Sequence, residues 1–204
     1  MIKKIKNLLS TPLRTNNYLL FLDGGAVLIE ASATVEQIER ELGGEKLLAV
    51  ILTHSHFDHA INLENILKHF DVACYLHELA FEKVKRHEKQ FYGDKSFKVE
   101  GCDDKLIKVE DKQTLQIANQ PFEFMYTPGH TDDSLCVKVG EILFSGDTLF
   151  YGSIGRCDLP SGNEEDMKKT LKKVFMLDDV VLVLPGHGEQ TNIGAEKLFW
   201  GEIL

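Results

Sequence analysis

The stretch Thr53-His54-Ser55-His56-Phe57-Asp58-His59 follows directly on an apolar run, Leu47-Leu48-Ala49-Val50-Ile51-Leu52. It puts three imidazoles and one carboxylate into six consecutive residues. Neutral imidazole and carboxylate suit a borderline divalent cation such as zinc. His54, His56 and Asp58 alternate, so in an extended segment their side chains leave the same side of the backbone. His59 breaks the alternation and reaches a second point. One short loop thus offers ligands to two neighbouring centres. A solvated, His-rich loop is the plainer reading, but a metal cluster is the usual reason for this density.

The apolar run has the continuity of a buried strand, so the cluster sits at that strand's C-terminal mouth. Upstream, Ile2 to Leu9, Asn17 to Leu22 and Ala26 to Glu30 read as strands, the last two joined at Asp23-Gly24-Gly25, where Asp-Gly supplies the positive φ of a tight turn. Thr34 to Leu42 carries Val35, Ile38 and Leu42 at helical spacing and is stopped by Gly43-Gly44. Downstream, helices are expected over Ala60 to Phe70 and Glu78 to Phe91, with a strand from Val72 to Leu76 between them. His69, His77 and His87 lie apart from the cluster and read as surface or interhelical residues.

After Gly93 the pattern changes to short strands, at Leu106-Ile107, Leu115 to Ile117 and Phe122 to Tyr126. Leu135 to Val139 and Ile142 to Phe144 form a hairpin about Gly140-Glu141. Glu165 to Met176 is helical, with Met167, Leu171, Val174 and Phe175 on one face. Val180 to Leu184 is a second buried strand, and Asn192 to Phe199 a closing helix. Strands and helices occur in each half, which suggests two facing sheets with helices outside, a four-layer α/β arrangement.

Three further sites repeat the first theme. Thr127-Pro128-Gly129-His130 follows the strand ending at Tyr126, Ser145-Gly146-Asp147 the strand ending at Phe144, and Pro185-Gly186-His187-Gly188 the strand ending at Leu184. Each displays a metal-type ligand beyond a strand end, and strand ends on one side of a sandwich can converge. Ser55 and Ser145 adjoin these ligands and read as hydrogen-bonding residues rather than nucleophiles.

Composition bounds the partners. The 204 residues carry 23 Lys+Arg against 32 Asp+Glu, a formal net charge of -9. That balance argues against nucleic acid, whose phosphates demand clustered basic side chains. Cys74, Cys102, Cys136 and Cys157 include no CxxC pair, and the N-terminal apolar run stops at Leu8-Leu9, too short for a signal core or membrane span. Free thiols, a cytoplasmic location and no membrane partner are expected.

The pattern His54-x-His56-x-Asp58-His59, followed by His130, Asp147 and His187, resembles the metallo-β-lactamase superfamily over nearly the whole chain. Gly146-Asp147-Thr148-Leu149-Phe150 and Gly155-Arg156-Cys157-Asp158-Leu159-Pro160 resemble its glyoxalase II (hydroxyacylglutathione hydrolase) branch. The resemblance implies an αββα sandwich in one domain, residues 1–204, with His54, His56 and His130 on a first metal, Asp58, His59 and His187 on a second, and Asp147 bridging. Seven such ligands suit two metals roughly 3.5–4 Å apart, and a water between them becomes hydroxide near neutral pH and attacks a carbonyl carbon. Asp58 also orients that water. Two zinc ions per chain are expected, with iron or manganese as alternatives.

Relatives narrow the function. Metallo-β-lactamases of the best-known group carry Cys where Asp147 stands, and flavodiiron relatives carry Glu at the position of His56. RNA-processing relatives add exosites and basic surfaces. The expected activity is hydrolysis of a small acyl compound, foremost a thioester. A mononuclear iron persulfide dioxygenase, a lactonase and a metal-stabilised scaffold without turnover are the alternatives. Two departures bear on specificity. His130 is followed by Asp132-Asp133, acids expected to repel an anionic substrate if they face it, and Glu30-Ala31-Ser32 stands where relatives often have Asp-Pro-Gly. With the sequence reaching only Leu204, soon after His187, the helical glutathione-binding domain of full-length glyoxalase II is not expected. Arg156 lies in Gly152-Ser153-Ile154-Gly155-Arg156-Cys157-Asp158, where relatives place a basic residue against glutathione. It reads either as a substrate anchor or as a partner of Asp158 that shapes the loop.

Overall fold

The computed structural model of the protein describes residues 1–11, 13–86 and 99–200. Alternation along the strands decides which layer each side chain joins. The first half gives β1 (Lys4–Leu9), β2 (Asn16–Leu22), β3 (Gly25–Ile29), α1 (Val35–Leu42), β4 (Leu47–Ile51), α2 (Phe57–Ala60), α3 (Leu63–Phe70), β5 (Cys74–His77), α4 (Glu78–Arg86) and β6 (Leu106–Val109). Its six strands form one sheet in sequence order, antiparallel from β1 to β3 and parallel from β3 to β6. The second half gives β7 (Thr114–Ile117), β8 (Gln120–Tyr126), β9 (Leu135–Val139), β10 (Ile142–Gly146), β11 (Leu149–Phe150), β12 (Ser153–Ile154), α5 (Glu164–Val174), β13 (Leu182–Pro185), β14 (Thr191–Asn192) and α6 (Ile193–Trp200). Its large sheet runs β14-β13-β10-β9-β8-β7, with β10 and β13 parallel, and β11 pairs with β12 alone.

On β2, Leu19 and Phe21 point into a core shared with Ile38 of α1, Ile66 of α3 and Val84 of α4, while Leu20 and Leu22 join Phe122, Phe124, Val137 and Phe144 between the sheets. A third core lies on the far side of the second sheet, where Met167, Leu171 and Val174 of α5 and Ile193 of α6 cover Leu143 and Val183. The layers are therefore helix, sheet, sheet and helix, as the sequence leads one to expect. Burying the apolar face of every element this way is the main driving force for the sandwich, at about 25 cal/mol per Å².

Local differences from the sequence reading have physical causes. The helix expected over Ala60 to Phe70 is broken at Ile61-Asn62. There the Asn62 N–H and side-chain amide bond to the carbonyls of Ala31 and Ser32, fixing a corner between α2 and α3. The strand expected from Val180 starts at Leu182, because Val181 N–H turns back to the Asp178 carbonyl. The helix from Glu78 is described to Arg86; its expected remainder and His87 lie outside the described residues. α1 is fixed at its start by a capping box, in which Thr34 and Gln37 satisfy each other's backbone N–H groups.

Candidate metal centre

Four chain segments converge at one edge of the sandwich. Beyond β4 the chain bends at Thr53, is extended at His56, and α2 then carries Asp58 and His59. His130 comes from the loop between β8 and β9. Asp147 and His187 follow the parallel neighbours β10 and β13, and are brought level by a bond from Gly186 N–H to the Gly146 carbonyl. The two sheets are tied at this edge by Leu135 N–H to the Thr53 carbonyl and Asn16 N–H to the Gly186 carbonyl. Gly146 has φ +50°, and a Cβ there would run into the Thr53 side chain, so this approach needs glycine.

All seven residues singled out in the sequence meet here. His54 Nε2 and His130 Nε2 lie 3.1 and 2.9 Å from His56 Nδ1. His187 Nε2 lies 3.2 Å from Asp58 Oδ2 and 3.3 Å from His59 Nε2. Asp147 stands between the two groups: Oδ1 is 3.4 Å from His59 Nε2, and Oδ2 is 3.5 Å from His130 Nε2 and 3.6 Å from His187 Nε2.

Neighbours fix the protons on two of the rings. A carbonyl can only accept, so at 2.8 Å from the Arg156 oxygen His130 Nδ1 carries the hydrogen and Nε2 presents a lone pair. Thr53 donates its hydroxyl hydrogen to Glu30, so its oxygen accepts from His54 Nδ1–H at 3.1 Å, and His54 Nε2 also presents a lone pair. Both lone pairs face His56 Nδ1, which has at most one hydrogen to give. Asp147 Oδ1 is buried with no hydrogen-bond partner. Converging lone pairs and an unsatisfied buried carboxylate oxygen are what a cation satisfies, so the donor set fits divalent metal, with the outer ring nitrogens of His54 and His130 held from behind.

The charges agree. Burial and the surrounding imidazoles push His54 well below its usual range, and burial with His130 brings His56 to about 4, leaving both neutral. Burial opposes ionisation of Asp147 and Asp58, but neighbouring histidines outweigh it and hold both carboxyls below the usual range. Burial also opposes charge on His59, yet Asp147, Glu30 and Asp58 raise it well above normal. Those carboxylates make this a place where positive charge is favoured.

A family profile described as "Metallo-beta-lactamase superfamily" matches residues 10–187. The chain belongs to the metallo-β-lactamase superfamily. Within the superfamily it is 31% identical over 201 residues to the probable metallo-hydrolase YqgX of Bacillus subtilis, spanning 91% of this chain and 90% of that one. It is 31% identical over 183 residues to the hydroxyacylglutathione hydrolase GloC of Haemophilus influenzae, spanning 82% and 80%. Among solved structures, the BLEG-1 B3 metallo-beta-lactamase superposes with a TM-score of 0.84 at 29% identity, over 95% of this chain and 96% of that one. TTHA1623, in a di-iron-bound form, superposes with a TM-score of 0.77 at 28% identity, over 94% and 96%.

Five of the seven residues line a cavity of about 370 Å³. His56, Asp58, His130, Asp147 and His187 line its polar side, and Leu13, Phe150, Ile154 and Leu159 its apolar side. None of the seven lines the larger groove, of about 710 Å³, beside Tyr18 and Leu184. Arg156 is on the cavity rim, but its guanidinium forms two bonds to Asp158, of 2.7 and 2.6 Å, and both side chains are at least half exposed. Its carbonyl is the acceptor that orients His130.

The acids after His130 do not line the cavity. Asp133 is fully buried and, like Asp132, bonds the Lys83 ammonium. Ser55 offers its backbone N–H to Asp133, and Ser145 gives its hydroxyl to the Leu149 carbonyl, in keeping with hydrogen-bonding roles. His69 pairs with Glu39, and His77 stacks on Tyr126 at 4.5 Å between ring centres; neither joins the cluster. Sequence reasoning missed Glu30. It is buried at φ +69°, accepts from the Thr53 hydroxyl and N–H, and lies 3.2 Å from His59 Nδ1, out of line for a hydrogen bond. The signal available was its place in Glu30-Ala31-Ser32, where relatives often carry an acid before proline.

Proposed function

We propose that the chain is a metal-dependent hydrolase of small acyl compounds, foremost thioesters, working with two divalent cations, most simply zinc. The observation that carries the reading is the convergence of the His54 and His130 lone pairs on His56, with Asp147 spanning the gap to Asp58, His59 and His187. His54, His56 and His130 would hold one cation, Asp58, His59 and His187 the other, and Asp147 both. The chemistry that two such cations supply is a water acidified to near neutrality and Lewis-acid polarisation of a carbonyl oxygen.

The chain's own residues do the rest. Asp58 Oδ2 faces the cavity between Thr15 Oγ1, which donates to it at 3.3 Å, and His187, so it can orient a water against the acyl carbon. Phe150, Ile154, Leu13 and Leu159 exclude bulk water from the other side. Arg156 waits at the rim for a substrate carboxylate, in exchange with Asp158. Similarity to GloC supports a thioester such as S-lactoylglutathione.

The experiment is a substrate panel on metal-replete protein: S-lactoylglutathione, simpler thioesters, and lactones. Cleavage of S-lactoylglutathione, accompanied by slower turnover of other small thioesters or lactones, is expected. Oxygen uptake with glutathione persulfide and no thioester cleavage would replace the hydrolase reading with a dioxygenase one. Metal binding with neither reaction would leave a scaffold.

A further inference from the structure

Ser55 sits between two of the seven residues, His54 and His56, and its backbone N–H points away from them. It meets Asp133 Oδ2 at 2.7 Å, and Asp133 is three residues beyond His130. One carboxylate therefore joins the loop that carries His54 and His56 to the loop that carries His130. The other oxygen, Oδ1, accepts from Lys83 Nζ at 2.7 Å. Lys83 projects from α4, is 13% exposed, and also reaches Asp132 and, at 3.2 Å, Ser161 Oγ.

This arrangement is costly to build. A buried ion pair loses two hydration shells, and an apolar pair of the same volume often stabilises a fold as well or better. Its placement gives the cost a purpose. A backbone carbonyl could satisfy Ser55 N–H, but a carboxylate bond is shorter and stronger than a neutral one. Rotation of the peptide at Ser55 would swing the His54 and His56 rings apart, and their Nε2 and Nδ1 atoms now stand 3.1 Å from each other. The Leu135 N–H bond to the Thr53 carbonyl ties the same two loops at a second point. Lys83 is the counter-ion that Asp133 shares with Asp132.

We propose that Asp133 is a positioning residue, whose carboxylate clamps the His54–His56 loop to the His130 loop with Lys83 as its counter-ion. The proposal rests on the metal-binding reading of the cluster. Its expected effect is on metal held by His54, His56 and His130, with little effect on metal held by Asp58, His59 and His187.

The test compares two variants that both remove the buried charges: Lys83→Met/Asp133→Asn, which keeps an acceptor for Ser55 N–H, and Lys83→Met/Asp133→Leu, which has nearly the same shape and none. Zinc affinity is measured on stripped, folded protein by competition with a chromogenic chelator, beside the wild type. The Asn variant should stay within about threefold of wild type, and the Leu variant should lose about 10- to 100-fold at one of the two metals, the usual cost of removing an outer partner of a ligand. Equal affinities in the two variants, or failure of both to fold, would assign the pair to stability alone and overturn the proposal. A wild type that binds no zinc would instead overturn the metal reading beneath it.

Discussion

Gly186→Ala separates the packing of the cluster from the strain of its loop. Gly186 has an ordinary φ, so alanine costs nothing in backbone conformation; the obstacle is space. The added methyl would run into Asp147 Oδ1 and lie 2.6 Å from His59 Cε1, closer than real carbon contacts come. Asp147 and His59 must part, or β13 must shift against β10. Overpacking of this kind costs about 1–3 kcal/mol, which for a chain of this size lowers Tm by about 2–12 °C. Because the residues pushed apart include Asp147, the proposed bridge between two metals, metal content should fall to roughly half of wild type or less. Gly188→Ala is the control: φ is +77° and a Cβ meets nothing within 4 Å. It pays only the left-handed penalty, about 1–2 kcal/mol, and should lower Tm by about 2–8 °C with metal content intact. Elemental analysis and thermal melting of both variants provide the readout. Full metal content in Gly186→Ala, or equal metal loss in both, would refute the contact between Gly186, Asp147 and His59 as the cause.

Three further outcomes are expected. Glu30→Ala leaves the Thr53 hydroxyl and N–H without their charged acceptor, at about 1.5–3 kcal/mol for each bond, and frees the hydrogen that sets the His54 tautomer, so Tm and zinc affinity should both fall; Glu30→Gln should recover part of each. Arg156→Ala should raise KM for carboxylate-bearing thioesters by less than about fivefold, the scale of an exposed ion pair, with kcat and the turnover of a neutral ester unchanged; equal loss on both substrates, in steady-state kinetics, would assign Arg156 to the loop alone. Burial opposes ionisation of Asp133, but Lys83 and the side chain of Ser55 hold its carboxyl below the usual range, so its stabilisation is present above the unfolded value near 3.9 and lost as pH falls through the folded one. Acid melting curves of stripped wild type should steepen below about pH 4, and those of Lys83→Met/Asp133→Asn should lack that component.

The cluster was legible because its information is local. Four of the seven residues stand in six positions, and His130, Asp147 and His187 each follow an apolar run and a turn residue. The four layers were legible from continuous runs such as Leu47 to Leu52, whose burial needs no knowledge of partners. What escaped was long-range or too short to have a period. Lys83 meets Asp133 across 50 positions, so Asp132 and Asp133 looked like free acids at the mouth. Glu30 read as the end of a strand, and its carboxylate finds Thr53 23 positions away. Strands β11, β12 and β14 have two residues each, which carry no alternation. The corner at Asn62 depends on carbonyls of a segment about 30 positions back. Arg156 binds Asp158, as the loop-shaping reading has it, and its place on the cavity rim is where an anchor would have to stand.

The central claim is that seven side chains hold two cations which this chain uses for hydrolysis. Its most direct test is metal content per chain in protein purified without chelator or added metal, for the wild type and Asp147→Ala side by side, with thioester cleavage followed on the same samples. The account predicts close to two metals in the wild type, loss of both when the shared carboxylate is removed, and cleavage that falls with them. A wild type without metal, or an Asp147→Ala protein with unchanged metal content, would contradict it.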